Sequence, residues 1–190
     1  MIKQSPHYRF NRTLIENCSP TLARLKTANL FTLSFSSRQE LDACLLKWNS
    51  ELNKKGVFLT VLRKYQKRAL IYVYRQSKLQ SDLMKKGVSE FLSQYGYRSC
   101  NARYAIQKLR ERFSECGDFP HEIGLFLSYP LGDVKGFIDN RGQNCKCAGC
   151  WKVYEDETMA LRLFAQYKKC KDIYLQCFQN GFSLAKLTVA

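Results

Sequence analysis

Cys18, His121, Glu122 and Asp133 are the residues of this 190-residue chain whose types, taken together, could carry out a reaction. Cys18 stands directly before Ser19-Pro20. That dipeptide reads as a helix start, with the serine as N-cap and the proline at the first helical position. Unpaired backbone N–H groups at a helix N-terminus favour an anion, so a thiol placed there is expected to ionise more readily. Joined by the imidazole of His121, it would form an activated nucleophile or a two-ligand metal site, with Glu122 or Asp133 orienting the ring. The competing reading has Cys18 packing behind the helix and His121 capping a second helix begun by Pro120, and the sequence leaves both open. HEIGLF lacks the second histidine of H-E-x-x-H, which excludes a zinc-protease helix.

A second constellation is Cys145-Lys-Cys147-Ala-Gly-Cys150. Cys147 and Cys150 have the spacing of half a zinc or iron–sulfur site, and Cys145 could add a third thiolate. A zinc or iron ion would suit the trio, with His121 or Cys116 as a fourth ligand. The alternative is a chance cluster, since no matching second pair exists. A third candidate is RALIYVYR, where Tyr72 and Tyr74 share a strand face flanked by Arg68 and Arg75. Such a face could stack bases, but Leu70 lies on the same side and favours burial under helices. Gly132, Gly136, Gly142 and Gly149 are too scattered to cradle a phosphate, and no dinucleotide fingerprint or Ser-His-Asp signature appears.

The elements that must position these residues follow from local signals. A short helix is expected from Ser19 through Lys26, then a strand over Leu30–Phe35. Ser37 and Glu40 form a capping box for a helix with Leu41, Leu45, Trp48 and Leu52 on one face, stopped by Gly56. Val57–Leu62 and Ala69–Tyr74 read as two central strands joined by a basic loop, RKYQKR. Helical patterns cover Lys78–Tyr95 and Asn101–Cys116, the second with Ala102, Ala105, Leu109 and Phe113 as its buried stripe. Phe119–Phe137 packs two prolines, three glycines, the His-Glu pair and Asp133 between apolar residues, the mixture of a shaped, turn-rich site. After a cysteine-containing loop, CWKVY reads as a strand. A long helix then runs from Asp156 to Phe178, ended by Asn180-Gly181. The expected fold is α+β: a small, mostly antiparallel sheet of about four strands packed by several helices, in a single domain spanning residues 1–190.

Composition narrows the setting. The hydrophobic fraction of 45% and charged fraction of 25% are those of an ordinary globular protein. No segment approaches the roughly 20 apolar residues of a membrane helix, and MIKQSPHYRFNRT has no apolar run of an export signal, so a cytoplasmic location is expected. In that compartment most of the nine cysteines stay reduced, and Cys170 and Cys177 serve as core fillers. The net charge of +15 raises the question of a polyanion. The basic residues are dispersed in pairs such as Lys54/Lys55, Lys85/Lys86 and Lys168/Lys169, which favours solubility over a nucleic-acid groove.

Three segments together, ENCSPTLARLKTANLF, FPHEIGLFLSYPLGDVKGFI and CWKVYEDE, resemble a bacterial (Firmicutes) family, domain of unknown function 3793. The resemblance covers nearly the whole chain. It implies Gly in relatives where this chain has Ser128, Glu where it has Gly132, and an aromatic residue at Cys150. It implies no particular activity, and it associates the protein with anaerobic redox or iron physiology through flavodoxin and ferrous-iron transport genes. The leading expectation is therefore a thiol- or metal-dependent accessory protein using Cys18 and His121, docking to an acidic redox protein such as a flavodoxin. A basic nucleic-acid-binding regulator and a purely structural or interaction protein are the alternatives.

Overall fold

The structure is a computed structural model that describes residues 6–115 and 119–190; Cys116, one suggested metal ligand, falls outside them. The chain divides into two compact units, one built from the chain up to Ser77 together with Lys169–Ala190, the other from Lys78–Lys168. The fold is α+β, and no helix among the described residues is long and apolar enough to cross a membrane.

In the first unit, α1 (Pro6–Leu22), β1 (Ala28–Ser34), α2 (Arg38–Leu52), a 3-10 turn (Asn53–Lys55), β2 (Val57–Tyr65) and β3 (Arg68–Arg75) follow one another. The three strands form an antiparallel sheet in the order β1-β3-β2. Only β3 is central, so β2 is an edge strand and not the central one expected from its apolar run. Its edge is occupied by a side chain: Asn49 Nδ2 donates to Leu59 O at 3.0 Å, and Leu59 N–H donates back to Asn49 Oδ1 at 2.9 Å. That double bond mimics a paired strand and blunts the edge. The strands run further than the sequence suggested, leaving only Gln66-Lys67 between Tyr65 and Arg68 in place of a six-residue loop. Ser37 caps α2 as expected, accepting from Glu40 N–H at 3.2 Å, while Glu40 Oε2 accepts from Ser36 N–H at 2.6 Å. Phe31, Ile71 and Val73 share one core with Leu14 of α1 and Leu41 and Trp48 of α2.

The helix start expected at Ser19-Pro20 is corrected. α1 begins at Pro6 and carries Pro20 inside its last turn. An interior proline costs about 3 kcal/mol, but Leu14, Ile15, Cys18 and Leu22 are each fully buried on one side of the helix. Burying four such side chains recovers several times that cost. The end of α1 is then satisfied from elsewhere in the unit. Arg75, only 3% exposed, donates through Nε to Thr21 O at 2.7 Å and through Nη2 to Leu22 O and Val189 O, both at 2.7 Å. Its Nη1 donates to Lys55 O at 3.1 Å. One guanidinium thus ties a helix end, the 3-10 turn and the last segment together, and α9 (Leu184–Leu187) is held beside it by Lys55 Nζ on the Ala185 and Thr188 carbonyls.

In the second unit the segment expected as one helix, Lys78–Tyr95, is two: α3 (Gln76–Leu83) and α4 (Val88–Ser93), parted at Gly87 with φ at +80°. α5 (Ala102–Glu115) buries Ala102, Ala105, Leu109 and Phe113 as expected. The turn-rich region folds into α6 (Ile123–Phe126) and α7 (Leu131–Asp139). A two-stranded hairpin, β4 (Cys147–Ala148) with β5 (Lys152–Val153), precedes α8 (Glu157–Gln179), whose residues from Lys169 onward belong to the first unit. The strands are therefore three in one sheet and two in another, against the single sheet of about four expected.

Candidate functional site

Glu122 and His121 sit at the entry to α6, immediately after Pro120, and they do not share an environment. Glu122 is fully buried, whereas the His121 ring is exposed and packs edge-on against Phe137 with centroids 5.0 Å apart. Glu122 Oε1 accepts from Arg112 Nε at 2.9 Å and from the Tyr97 hydroxyl at 3.4 Å. Among the described residues, Glu122 Oε2 is buried without a hydrogen-bond partner. The Arg112 guanidinium also lies over the Tyr95 ring, 5.5 Å from its centroid. Burial first, and then the Glu122 carboxylate, raise the Tyr95 phenol above its usual value, against the opposing pull of Arg112.

Tyr95, Arg112, His121 and Glu122 line a pocket of about 140 Å³ with Phe119, Pro120 and Ile138. The walls are mostly apolar, and in them Arg112 of α5 meets Glu122 of the segment leading into α6. Arg112 and Tyr95 were not singled out from sequence. A signal for Arg112 was present: it stands three residues after Leu109, on the buried stripe of α5, where an apolar residue is the default. A cation at such a place calls for a buried counter-charge, and Glu122, set in an apolar run, supplies it.

Asp133 has a different task. On α7, and 2% exposed, it accepts from Trp151 Nε1 at 2.7 Å through one oxygen, and from the Tyr154 and Glu155 N–H groups at 2.7 Å and 2.9 Å through the other. Both oxygens are thus engaged in fastening the β4–β5 hairpin to α7. The glycines of α7 serve the same junction. A Cβ on Gly136 would stand 2.5 Å from the Tyr154 ring, and one on Gly132 would overlap the Glu155 carboxylate. Tyr129 completes the contact, stacking on Trp151 at 4.9 Å and donating its hydroxyl to Cys150 O at 3.0 Å.

Cys18 lacks both features that the thiolate reading needed. It lies within α1 and not ahead of a helix N-terminus, and it is fully buried. Desolvation pushes its thiol well above the ordinary value, with Lys26 only partly offsetting. It belongs to the first unit, and His121, Glu122 and Asp133 belong to the second. Within that second unit His121 and Glu122 meet at the pocket, while Asp133 goes to the hairpin. The Cys145, Cys147 and Cys150 trio lies along the hairpin, with Cys150 exposed at its tip. Among the described residues, no three His, Cys, Asp or Glu side chains converge to hold a metal ion, so the trio does not fit the proposed zinc or iron. Desolvation and the adjacent Glu157 carboxylate raise the Cys147 thiol. All eight described cysteines are free thiols. Tyr72 is fully buried and stacked on Tyr74 with centroids 5.0 Å apart, so it offers no face to a base.

The family model described as "Protein of unknown function (DUF3793)" matches residues 14–188. The chain belongs to the DUF3793 family. No curated protein and no solved structure matches it. In this DUF3793 chain the matched span takes in α6, α7 and the hairpin, along with the pocket residues Tyr95, Arg112, His121 and Glu122. The FPHEIG and DVKGF strings that carried the resemblance therefore divide into two jobs. The first lines a pocket, and the second secures a hairpin.

Proposed function

We propose that this protein binds a small organic ligand in the pocket beside Glu122, with Glu122 as the anchoring acceptor and His121 at the rim. The observation that supports the reading is the unpartnered oxygen of a fully buried carboxylate in the lining of a cavity. Leaving a buried charged acceptor unsatisfied costs upwards of about 1–3 kcal/mol. Oε2 has almost no surface of its own, so a ligand donor that displaces the wall over it would recover that energy, while the Arg112 bond on Oε1 holds the carboxylate in place. Apolar walls with a few convergent polar groups are the usual make-up of a small-molecule site. A pocket of about 140 Å³ is close to the roughly 150 Å³ that admits one benzene ring. This reading replaces the thiol mechanism, whose nucleophile is sealed in a core, and keeps the expected cytoplasmic setting, in which free thiols persist.

Ligand-observed NMR with a library of ring-sized fragments tests it, run in parallel on the parent protein and on Ile138→Trp, which fills the pocket from its wall. Fragments should bind the parent and lose binding to the variant, whose circular dichroism should match the parent. Binding that ignores the substitution, or no fragment binding at all, would remove the basis of the reading.

A further inference from the structure

Resting on that reading, we infer that the ligand class is a small organic ammonium: a protonated amine on a compact apolar body. The pocket departs from the charge of the chain around it. The protein carries 31 Lys and Arg against 16 Asp and Glu. In the lining of this cavity the excess of cations is gone, because Glu122 and Arg112 offset each other. Glu122 lines it, and Asp139, next to the lining residue Ile138, acts electrostatically on the Tyr95 hydroxyl; Arg112 is the cation of the lining. Arg112 has its Nε committed to Glu122 Oε1. The acceptor without a partner is Oε2, and it asks for a donor.

Several kinds of donor would satisfy one oxygen, so the choice turns on charge. A hydrogen bond from an ionised donor to a carboxylate is roughly twice as strong as a neutral one. An anionic ligand would set its charge against the Glu122 carboxylate, and like charges repel. The walls point the same way. Phe119 is 43% exposed at the mouth, and its face offers a weak attraction to a cation while the apolar body packs against Ile138. A multiply charged polyamine gains nothing here, because among the described residues the lining supplies one unpartnered acceptor.

The test uses three molecules of one shape: benzylammonium, benzyl alcohol and benzoate. The readout is the His121 imidazole proton signal, which is simple to follow because the chain has two histidines. Benzylammonium should shift that signal saturably, with an affinity at least about tenfold above that of benzyl alcohol, and benzoate should leave it unchanged. Glu122→Gln, which keeps the shape and removes the charge, should lose at least about tenfold in benzylammonium affinity. Should that variant fail to fold, the comparison among the three molecules on the parent protein decides alone. If benzyl alcohol or benzoate shifts His121 as well as benzylammonium does, the ammonium class is overturned while the pocket stands as a ligand site. Unchanged benzylammonium affinity in a folded Glu122→Gln overturns the class in the same way. No shift with any of the three overturns both the class and the pocket reading.

Discussion

Ser128 holds φ at +61°, the left-handed region that costs a residue with a Cβ about 1–2 kcal/mol. Its neighbours impose that conformation. Tyr129 N–H donates to Gly124 O at 2.9 Å and Ser128 N–H to Leu125 O at 3.1 Å, the paired bonds of a Schellman ending on α6. Glycine is the usual residue at that position, and the family resemblance implied glycine in relatives. Ser128→Gly should therefore raise the unfolding free energy by roughly 0.5–1 kcal/mol, after allowing for the greater freedom glycine brings to the unfolded chain. A urea titration at neutral pH measures it. A loss of stability would show that the serine hydroxyl contributes more than the backbone conformation costs. At this same scale the candidate residues were partly legible. Glu122 and Asp133 stood out because carboxylates in apolar runs must be satisfied somewhere. What satisfies each, Arg112 in one case and a hairpin backbone in the other, is a contact between distant segments that local spacing does not encode.

Helix α7 and the β4–β5 hairpin meet across two glycines, and their junction is tight enough to test by a single methyl group. Gly136→Ala would place a Cβ 2.5 Å from Tyr154 Cγ, inside contact distance. Overpacking of this kind costs about 1–3 kcal/mol. The loss should appear in a thermal melt together with a change in the near-ultraviolet signal of Trp151, which packs between Tyr129 and Phe164. A variant as stable as its parent would mean that Tyr154 moves aside freely and that the glycine is not there for close approach. Elements governed by local chemistry were readable from sequence: the Ser37/Glu40 box starting α2, the buried stripe of α5, and Gly181 ending α8 with φ at +89°. α1 was misread because Ser19-Pro20 is a strong local start signal, while the spacing of Phe10, Leu14, Ile15, Cys18 and Leu22 is set in a polar segment. Tertiary burial overrode the local rule there.

Across the whole chain, burial holds several acidic groups in their neutral form. Desolvation pushes the Cys44 thiol up to about 12 and that of Cys170 to about 11, from an ordinary 9.0. The Tyr167 and Tyr174 phenols rise to about 12 from 10.0 for the same leading reason. Above pH 9.0 the unfolded thiols ionise while the folded ones keep their protons. The unfolded state then binds fewer protons, so stability falls as pH rises. The contribution is complete below pH 9.0 and is lost progressively toward about 12. Urea midpoints in reducing buffer should be level from about pH 7 to about pH 8.5 and decline beyond that. Cys44→Ala, although less stable overall, should decline less steeply, and an equal slope in parent and variant would rule out this source. The two tryptophans also divide between the two units. Trp48 donates its indole N–H to the neutral amide of Asn11 at 2.8 Å, whereas Trp151 donates to the charged carboxylate of Asp133 at 2.7 Å. Each half of the molecule thus carries its own fluorophore in a distinct electrical setting. Replacing one indole at a time with phenylalanine leaves a built-in optical gauge of the other half, through which melting of the two can be timed separately without any added dye.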